Sequence, residues 1–163
     1  MSKILLFDDR PQVRMSLEEK LRSYCDGIEV FSCRSVYEAT DTWNRMKNDL
    51  DAIVIDMMLP SLGLDESLRS KTQGGLLTGW IWLWHNINKQ NEDPHPATDK
   101  CIVIYSAYLK DFDKYITSAF PSDAEKLFAK KARLMPKGNS GKENDVVDLL
   151  VDYFCEIGTI TKA

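Results

Sequence analysis

Short, mostly apolar runs recur along this chain, at intervals that leave room for a helix between them. They occupy positions 4–7, 28–31, 52–55, 101–105 and 134–135. Strands that are apolar at successive positions are typical of parallel sheets, because helices cover both faces of such sheets. The alternation of apolar runs with helical patterns therefore predicts an α/β fold, a doubly wound five-stranded parallel sheet with helices on both faces.

Start signals mark several of the predicted helices. Pro11 stands where the first helix begins, a position that tolerates proline because the first backbone N–H groups of a helix have no partner within it. Ser35 and Glu38 form a capping-box pattern that opens a second helix. Apolar residues at helical spacing over 146–154 predict a closing amphipathic helix.

A tryptophan-rich segment follows the third apolar run. Trp80, Trp82 and Trp84 fit a two-residue period, but Ile81 and Leu83 between them are apolar too. Since true alternation is missing, we predict a helix. We interpret the tryptophans as packing residues, with an exposed apolar patch around Trp82 as the alternative.

Residues 1–163 are interpreted as a single domain, because this length suits one hydrophobic core. Positions of about 61–75 belong to a polar, glycine-bearing segment longer than the usual loop of about 4–6 residues. We interpret them as an insertion or a functional loop. Positions of about 109–132 carry two further helical patterns, the second opened by Ser122, and form an extended helical region.

Composition excludes several classes of protein. The formal net charge is −4, whereas a nucleic-acid-binding domain is expected to be basic. No apolar run approaches the roughly 18 residues of a membrane span, and the N-terminus does not read as a signal peptide. The four cysteines are scattered without a C-x-x-C pair, as in reduced cytoplasmic proteins. We therefore expect a cytoplasmic protein that binds neither nucleic acid nor membranes.

Residues able to do chemistry follow four of the five predicted strands. In a parallel sheet the carboxyl ends of the strands meet at one edge, which is where ligands bind. The residues that would converge there are Asp8, Asp9, Asp56, Ser106 and Lys137. Three neighbouring carboxylates repel one another unless a cation joins them, and Mg²⁺ prefers oxygen ligands of this kind. A lysine and a hydroxyl beside such a metal are suited to holding the oxygens of a phosphoryl group.

Each of these residues also has a purely structural interpretation. Asp8 and Asp9 could cap the first helix, and Ser106 could cap the helix after it. Lys137 could be a solvated loop lysine, and Asp56 could be a turn residue. These alternatives remain open for each residue taken alone.

Together, the five residues make the chain resemble the receiver domains of two-component response regulators. The resemblance rests on Asp8-Asp9 after the first strand, Asp56 after the third, Ser106-Ala107 after the fourth and Lys137 near the fifth. It spans nearly the whole chain. It implies a flavodoxin-like strand order, 2-1-3-4-5.

The resemblance also implies a role for each residue. Asp56 would accept the phosphoryl group, and Asp9, Asp56 and the backbone carbonyl of Met58 would bind Mg²⁺. Asp8 would act on the metal through a water molecule. Lys137 would pair with Asp56 and then with the phosphoryl group, which the Ser106 hydroxyl would also contact.

Two departures from the receiver pattern concern the last strand and its loop. Pro136 precedes Lys137, whereas the family usually has the proline after the lysine. Leu134 stands where the family often has a tyrosine or phenylalanine that rotates on activation. The bulky Met58 and Tyr108 occupy positions that flank the path of attacking water in the family.

The sequence leads to one principal hypothesis and two rivals. The first is a phosphorelay switch, not primarily an enzyme, which takes a phosphoryl group from a histidine kinase or phosphotransfer protein and signals by binding another protein. The alternative is a receiver-like adaptor that is never phosphorylated. A Mg²⁺-dependent phosphohydrolase is disfavoured, because Met58 stands where such an enzyme would have a second aspartate.

Overall fold

The computed structural model describes residues 1–24, 26–88, 100–107, 109, 132–138 and 142–160. Strands and helices alternate along most of the chain. In chain order they are β1 (Ser2–Phe7), α1 (Pro11–Tyr24), β2 (Ile28–Cys33), α2 (Val36–Met46), β3 (Ala52–Ile55), α3 (Glu66–Arg69), α4 (Thr78–Asn88), β4 (Cys101–Ser106), β5 (Arg133–Pro136) and α5 (Lys142–Glu156).

The five strands form one parallel sheet in the order β2-β1-β3-β4-β5. Both the predicted fold class and the predicted strand order are confirmed. β1 and β3 lie side by side, with Phe7 opposite Ile55 at their carboxyl ends. β4 and β5 end together as well, with Ser106 opposite Pro136. The residues that follow these strands therefore start from one edge of the sheet.

Alternate residues of the strands point to two separate hydrophobic clusters. On one face, Leu5, Phe7 and Ile53 pack with residues of α2 and α4. On the other face, Ile4 and Leu6 pack with residues of α1 and α5. Burial on both faces explains why β1, β3 and β4 read as continuous apolar runs, whereas the edge strand β5 is mostly exposed.

The tryptophan-rich segment is helical, as predicted, but the alternative of an exposed patch around Trp82 is wrong. Trp82 is completely buried, and Trp80 and Ile81 are no more than 3% exposed. The Trp82 ring lies edge-on to Phe7 and Trp43, and its Nε1 donates a hydrogen bond to Thr40 Oγ1 at 2.9 Å. Because α4 packs against both β1 and α2, the face of α4 that carries Trp82 is covered as well.

The capping box at α2 forms with one change of partner. Ser35 Oγ accepts a hydrogen bond from the Glu38 backbone N–H, as predicted. The Glu38 carboxylate accepts from the backbone N–H of Arg34 at 2.9 Å, one residue earlier than the usual pattern. The helix start is stabilised in both directions.

The insertion of about 61–75 folds as turns around the short helix α3. The extended helical region of about 109–132, including Ser122, lies outside the described residues except for positions 109 and 132, and so does Tyr108. No helix in the described ranges is both long and apolar enough to cross a membrane.

Candidate functional site

The acidic residues meet because β1 and β3 are neighbours. The backbone N–H of Asp56 donates to the carbonyl of Phe7 at 3.0 Å, which continues the pairing beyond the end of β3. The backbone N–H of Asp8 donates to the carbonyl of Cys33 at 3.2 Å, on the other side of β1. Both aspartates therefore leave the sheet from fixed backbone positions.

Asp8, Asp9 and Asp56 form a cluster in which one carboxylate oxygen from each lies within 4.8 Å of the others. Asp8 and Asp56 are 2% and 5% exposed, whereas Asp9 is exposed. Burial raises the pKa of Asp8 above its usual value, although the hydrogen bond from Lys137 opposes the change. Since burial destabilises the charged form of Asp8, a cation that binds to the carboxylate would stabilise that form.

The amino group of Lys137 lies between two of these acids. It makes ion pairs with Asp8 Oδ2 and Asp56 Oδ2, and its side chain is only 7% exposed. Its Nζ also lies 5.4 Å from the centre of the Tyr105 ring. The interpretation of Lys137 as a solvated loop lysine is therefore wrong, despite the unusual proline before it.

Ser106 reaches the same edge of the sheet at the end of β4. It is completely buried, and its backbone carbonyl accepts a hydrogen bond from the Lys137 backbone N–H at 2.9 Å. This bond joins the ends of β4 and β5 and holds Lys137 in position. Whether the hydroxyl contacts a phosphoryl group stays a prediction.

A cleft of about 600 Å³ opens beside the acids. Its lining includes Asp9, Asp56 and Met58, together with Gly74 and Gly75 of the insertion. The backbone N–H of Leu59 donates to the Gly75 carbonyl at 3.3 Å, which ties the insertion to the loop after β3. The inserted segment is therefore a wall of the candidate site.

Two residues of the site, Arg10 and Gly79, were not predicted from the sequence. Arg10 lines the cleft, with its guanidinium 3.7 Å from Asp8 Oδ1 and 3.9 Å from Asp56 Oδ2. Its position directly after the acidic pair was the available signal. Gly79, a glycine inside a helical pattern, lies against the backbone of Asp56.

The donor set suits a hard divalent cation. Asp8, Asp9 and Asp56 offer clustered carboxylate oxygens, which Mg²⁺ accepts together with water molecules. Exposed Asp9 leaves the cluster open to solvent on the cleft side. The contribution of the Met58 carbonyl stays a prediction, although Met58 itself lies in the cleft.

Several solved structures resemble this chain in fold. A response regulator receiver domain from Clostridium thermocellum matches with a TM-score of 0.58 and 17% identity, over 96% of this chain and 99% of the other. The receiver domain of the Francisella response regulator 1452 matches with a TM-score of 0.59 and 20% identity, over the same shares.

A third match comes from the structure of the P1 domain of CheA3 in complex with CheY6 from R. sphaeroides, with a TM-score of 0.54 and 15% identity over 94% of this chain and 97% of that one. No family model matches the sequence, and no curated protein matches it. The likeness confirms the resemblance at the level of the fold: the chain has the receiver-domain fold.

Proposed function

We propose that this chain is a phosphorelay switch that accepts a phosphoryl group on Asp56. One observation carries the proposal: the buried amino group of Lys137 pairs with both Asp8 and Asp56, next to Asp9. Removing these charges from water together is costly even when they are paired, and this cost supports a functional role for the cluster. The receiver-domain fold of the matched structures agrees with this function.

The chemistry is a transfer between two nucleophiles. A carboxylate oxygen of Asp56 attacks the phosphorus of a phosphohistidine on the donor protein. A P–O bond forms as the P–N bond breaks, and the imidazole nitrogen keeps the electron pair and takes a proton from solvent. Lys137 holds an oxygen of the moving group and balances its charge.

Mg²⁺ held by Asp9, Asp56 and the Met58 carbonyl, with Asp8 acting through water, would supply further positive charge to the phosphoryl oxygens. The backbone N–H of Met58 donates to Asp56 Oδ1 at 3.2 Å, so the acceptor carboxylate is oriented by its own loop. Fixed orientation of this kind lowers the barrier to an in-line transfer.

We propose a histidine kinase or phosphotransfer protein as the donor and a second protein as the target of the phosphorylated form. Among the matched structures, one holds a CheA3 P1 domain with CheY6. A cytoplasmic location agrees with the free thiols of Cys33, Cys101 and Cys155.

The deciding experiment is the intact mass of the chain after treatment with acetyl phosphate and Mg²⁺. We expect a gain of one phosphoryl group that disappears with a chelator and in Asp56→Asn. Asp65→Asn is the matched control, because Asp65 is an exposed aspartate of the insertion without a side-chain cap bond. A gain that survives Asp56→Asn would refute the acceptor, and no gain in the wild type would favour the adaptor.

A further inference from the structure

Arg10 places a second positive charge over the acids, from the open side of the site. Its backbone N–H donates to Asp8 Oδ1 at 2.9 Å, which fixes its main chain just before α1. Its side chain lines the cleft with Asp9 and Asp56, and is 50% exposed. Lys137, in contrast, lies on the buried side of the same carboxylates and is 7% exposed.

The contacts of Arg10 are of a kind that is easily exchanged. Nε is 3.7 Å from Asp8 Oδ1 and Nη2 is 3.9 Å from Asp56 Oδ2, both longer than hydrogen bonds. A half-exposed ion pair at these distances contributes little to stability, because water screens it. Arg10 can therefore leave the acids at small cost, whereas the buried Lys137 cannot.

The balance of charge at the site indicates why an arginine that can leave the carboxylates would matter. Asp8, Asp9 and Asp56 carry three negative charges when ionised, against two positive charges on Lys137 and Arg10. A divalent cation entering between the acids meets the guanidinium at close range and is repelled by it. A phosphoryl group on Asp56 instead brings new negative oxygens, which a planar guanidinium binds well.

We propose that Arg10 is an exchangeable counter-ion of the acidic cluster and a positioning residue for the phosphoryl group. Before phosphorylation it weakens Mg²⁺ binding by occupying the carboxylates. After phosphorylation it turns from the carboxylates to the phosphoryl oxygens and stabilises the modified state. The second half of this proposal rests on the proposed function, whereas the first half requires only that the acids bind Mg²⁺.

The first test is Mg²⁺ titration by calorimetry, with no phosphoryl compound present. We expect Arg10→Gln to bind Mg²⁺ about tenfold more tightly than the wild type, the lower end of what a neighbouring charge does to an ionisable site. Arg10→Lys keeps the charge and should stay within about twofold of the wild type. Arg22→Gln is the matched control, since Arg22 is an exposed arginine in the last turn of α1.

The second test is the binding of beryllofluoride, a phosphoryl mimic, at saturating Mg²⁺. We expect both Arg10→Gln and Arg10→Lys to bind it about tenfold more weakly than Arg22→Gln, because both lose the planar pair of donors. Circular dichroism of each variant checks that the fold is intact.

The outcomes separate the two ideas. Equal Mg²⁺ affinity in Arg10→Gln and Arg22→Gln would overturn the competition, and equal beryllofluoride affinity would overturn the phosphoryl contact. A wild type that binds Mg²⁺ but not beryllofluoride would refute the proposed function, while tighter Mg²⁺ binding by Arg10→Gln would still support the competition. If neither the wild type nor Arg10→Gln bound Mg²⁺, both the proposed competition and the proposed function would fail.

Discussion

The backbone of Gly79 lies so close to that of Asp56 that a β-carbon at position 79 would fall 1.8 Å from the Asp56 carbonyl oxygen. The Gly79 N–H also donates to the Met57 carbonyl at 3.0 Å. The start of α4 is therefore pressed against the loop that carries the proposed phosphoryl acceptor. Glycine at this position is a condition for the site's geometry.

Gly79→Ala should destabilise the chain, although alanine normally improves a helix by about 1 kcal/mol over glycine. The neighbouring atoms belong to backbone and cannot rotate away. We expect the free energy of unfolding in urea to fall by about 2–3 kcal/mol, as for other overpacked substitutions, and Mg²⁺ binding to weaken as the loop shifts.

Gly138→Ala is the control for this substitution. Among the residues that the structure describes, a β-carbon there would meet only the flexible side chain of Lys142, at 3.3 Å. We expect a change within about 0.5 kcal/mol. Equal stability of Gly79→Ala and the wild type would show that α4 can slide away from Asp56.

The pairing of Lys137 with Asp56 predicts strong coupling between the two residues. Lys137→Met leaves two buried carboxylates without their shared cation, so without Mg²⁺ it should cost about 3 kcal/mol, the lower end for a broken buried pair, because Arg10 remains nearby. Adding Asp56→Asn removes one of the repelling charges and should recover part of that loss. Urea unfolding of both single variants and the double variant measures the coupling, and strictly additive effects would contradict it.

The sequence was sufficient to predict the fold because the three central strands, β1, β3 and β4, are buried on both faces and end at chemically distinctive residues. Asp56 and Lys137 were placed at one edge by the topology of a parallel sheet alone, and the structure brings their side chains into contact. Sequence periodicity could not show that Trp82 is buried, because that depends on α2 packing against α4.

The sequence did not predict the contacts of Arg10 and Gly79 with Asp56, for a similar reason. Arg10 belongs to no motif, and the role that we propose for it depends on a turn that brings its side chain back over Asp8. The steric constraint on Gly79 depends on the distance between a helix and a loop 23 positions earlier, at Asp56. The contact of Arg10 with Asp56 and the approach of Gly79 to Asp56 each join segments that are distant in the sequence, so the only local signal was that Arg10 directly follows the acidic pair.

The thiol of Cys101 should react slowly with alkylating reagents in the folded chain. Burial raises the pKa of Cys101 from 9.0 to about 11, and only the thiolate is nucleophilic. At pH 8 we expect labelling by iodoacetamide about a hundredfold slower than in the urea-unfolded chain, since two pK units lower the thiolate fraction by that factor. Peptide mapping after short pulses measures the rate.

The same shift has a consequence for stability. The pKa of Cys101 is higher in the folded chain than in the unfolded chain. The contribution of the protonated thiol to the free energy of unfolding is therefore fully present below pH 9.0 and is lost as the pH rises through about 11. Cys101→Ala should therefore flatten the decline in unfolding free energy over this range. Labelling of Cys101 at pH 8 that is equally fast in the folded and unfolded chains would contradict the raised pKa.

Met58 predicts a long-lived phosphoryl group, if Asp56 is the acceptor. Met58 lines the cleft beside Asp56 and is 39% exposed. Its thioether is a weak hydrogen-bond acceptor, so it cannot orient a water molecule for in-line attack on phosphorus. An asparagine at this position can orient such a water, and orientation can change a rate by about a hundredfold. We expect Met58→Asn to shorten the lifetime of the phosphorylated chain by about tenfold, and Tyr108→Glu to shorten it further.

Met15→Asn is the control, because Met15 is an exposed methionine of α1 that does not line the cleft. The lifetime is measured by intact mass after the phosphodonor is removed, with Mg²⁺ kept saturating. Since Met58→Asn changes no charge, metal occupancy should be equal in the variants, and any difference reports on water access to phosphorus. Rapid loss of the phosphoryl group from the wild type, unchanged in Met58→Asn, would show that another part of the site orients the attacking water.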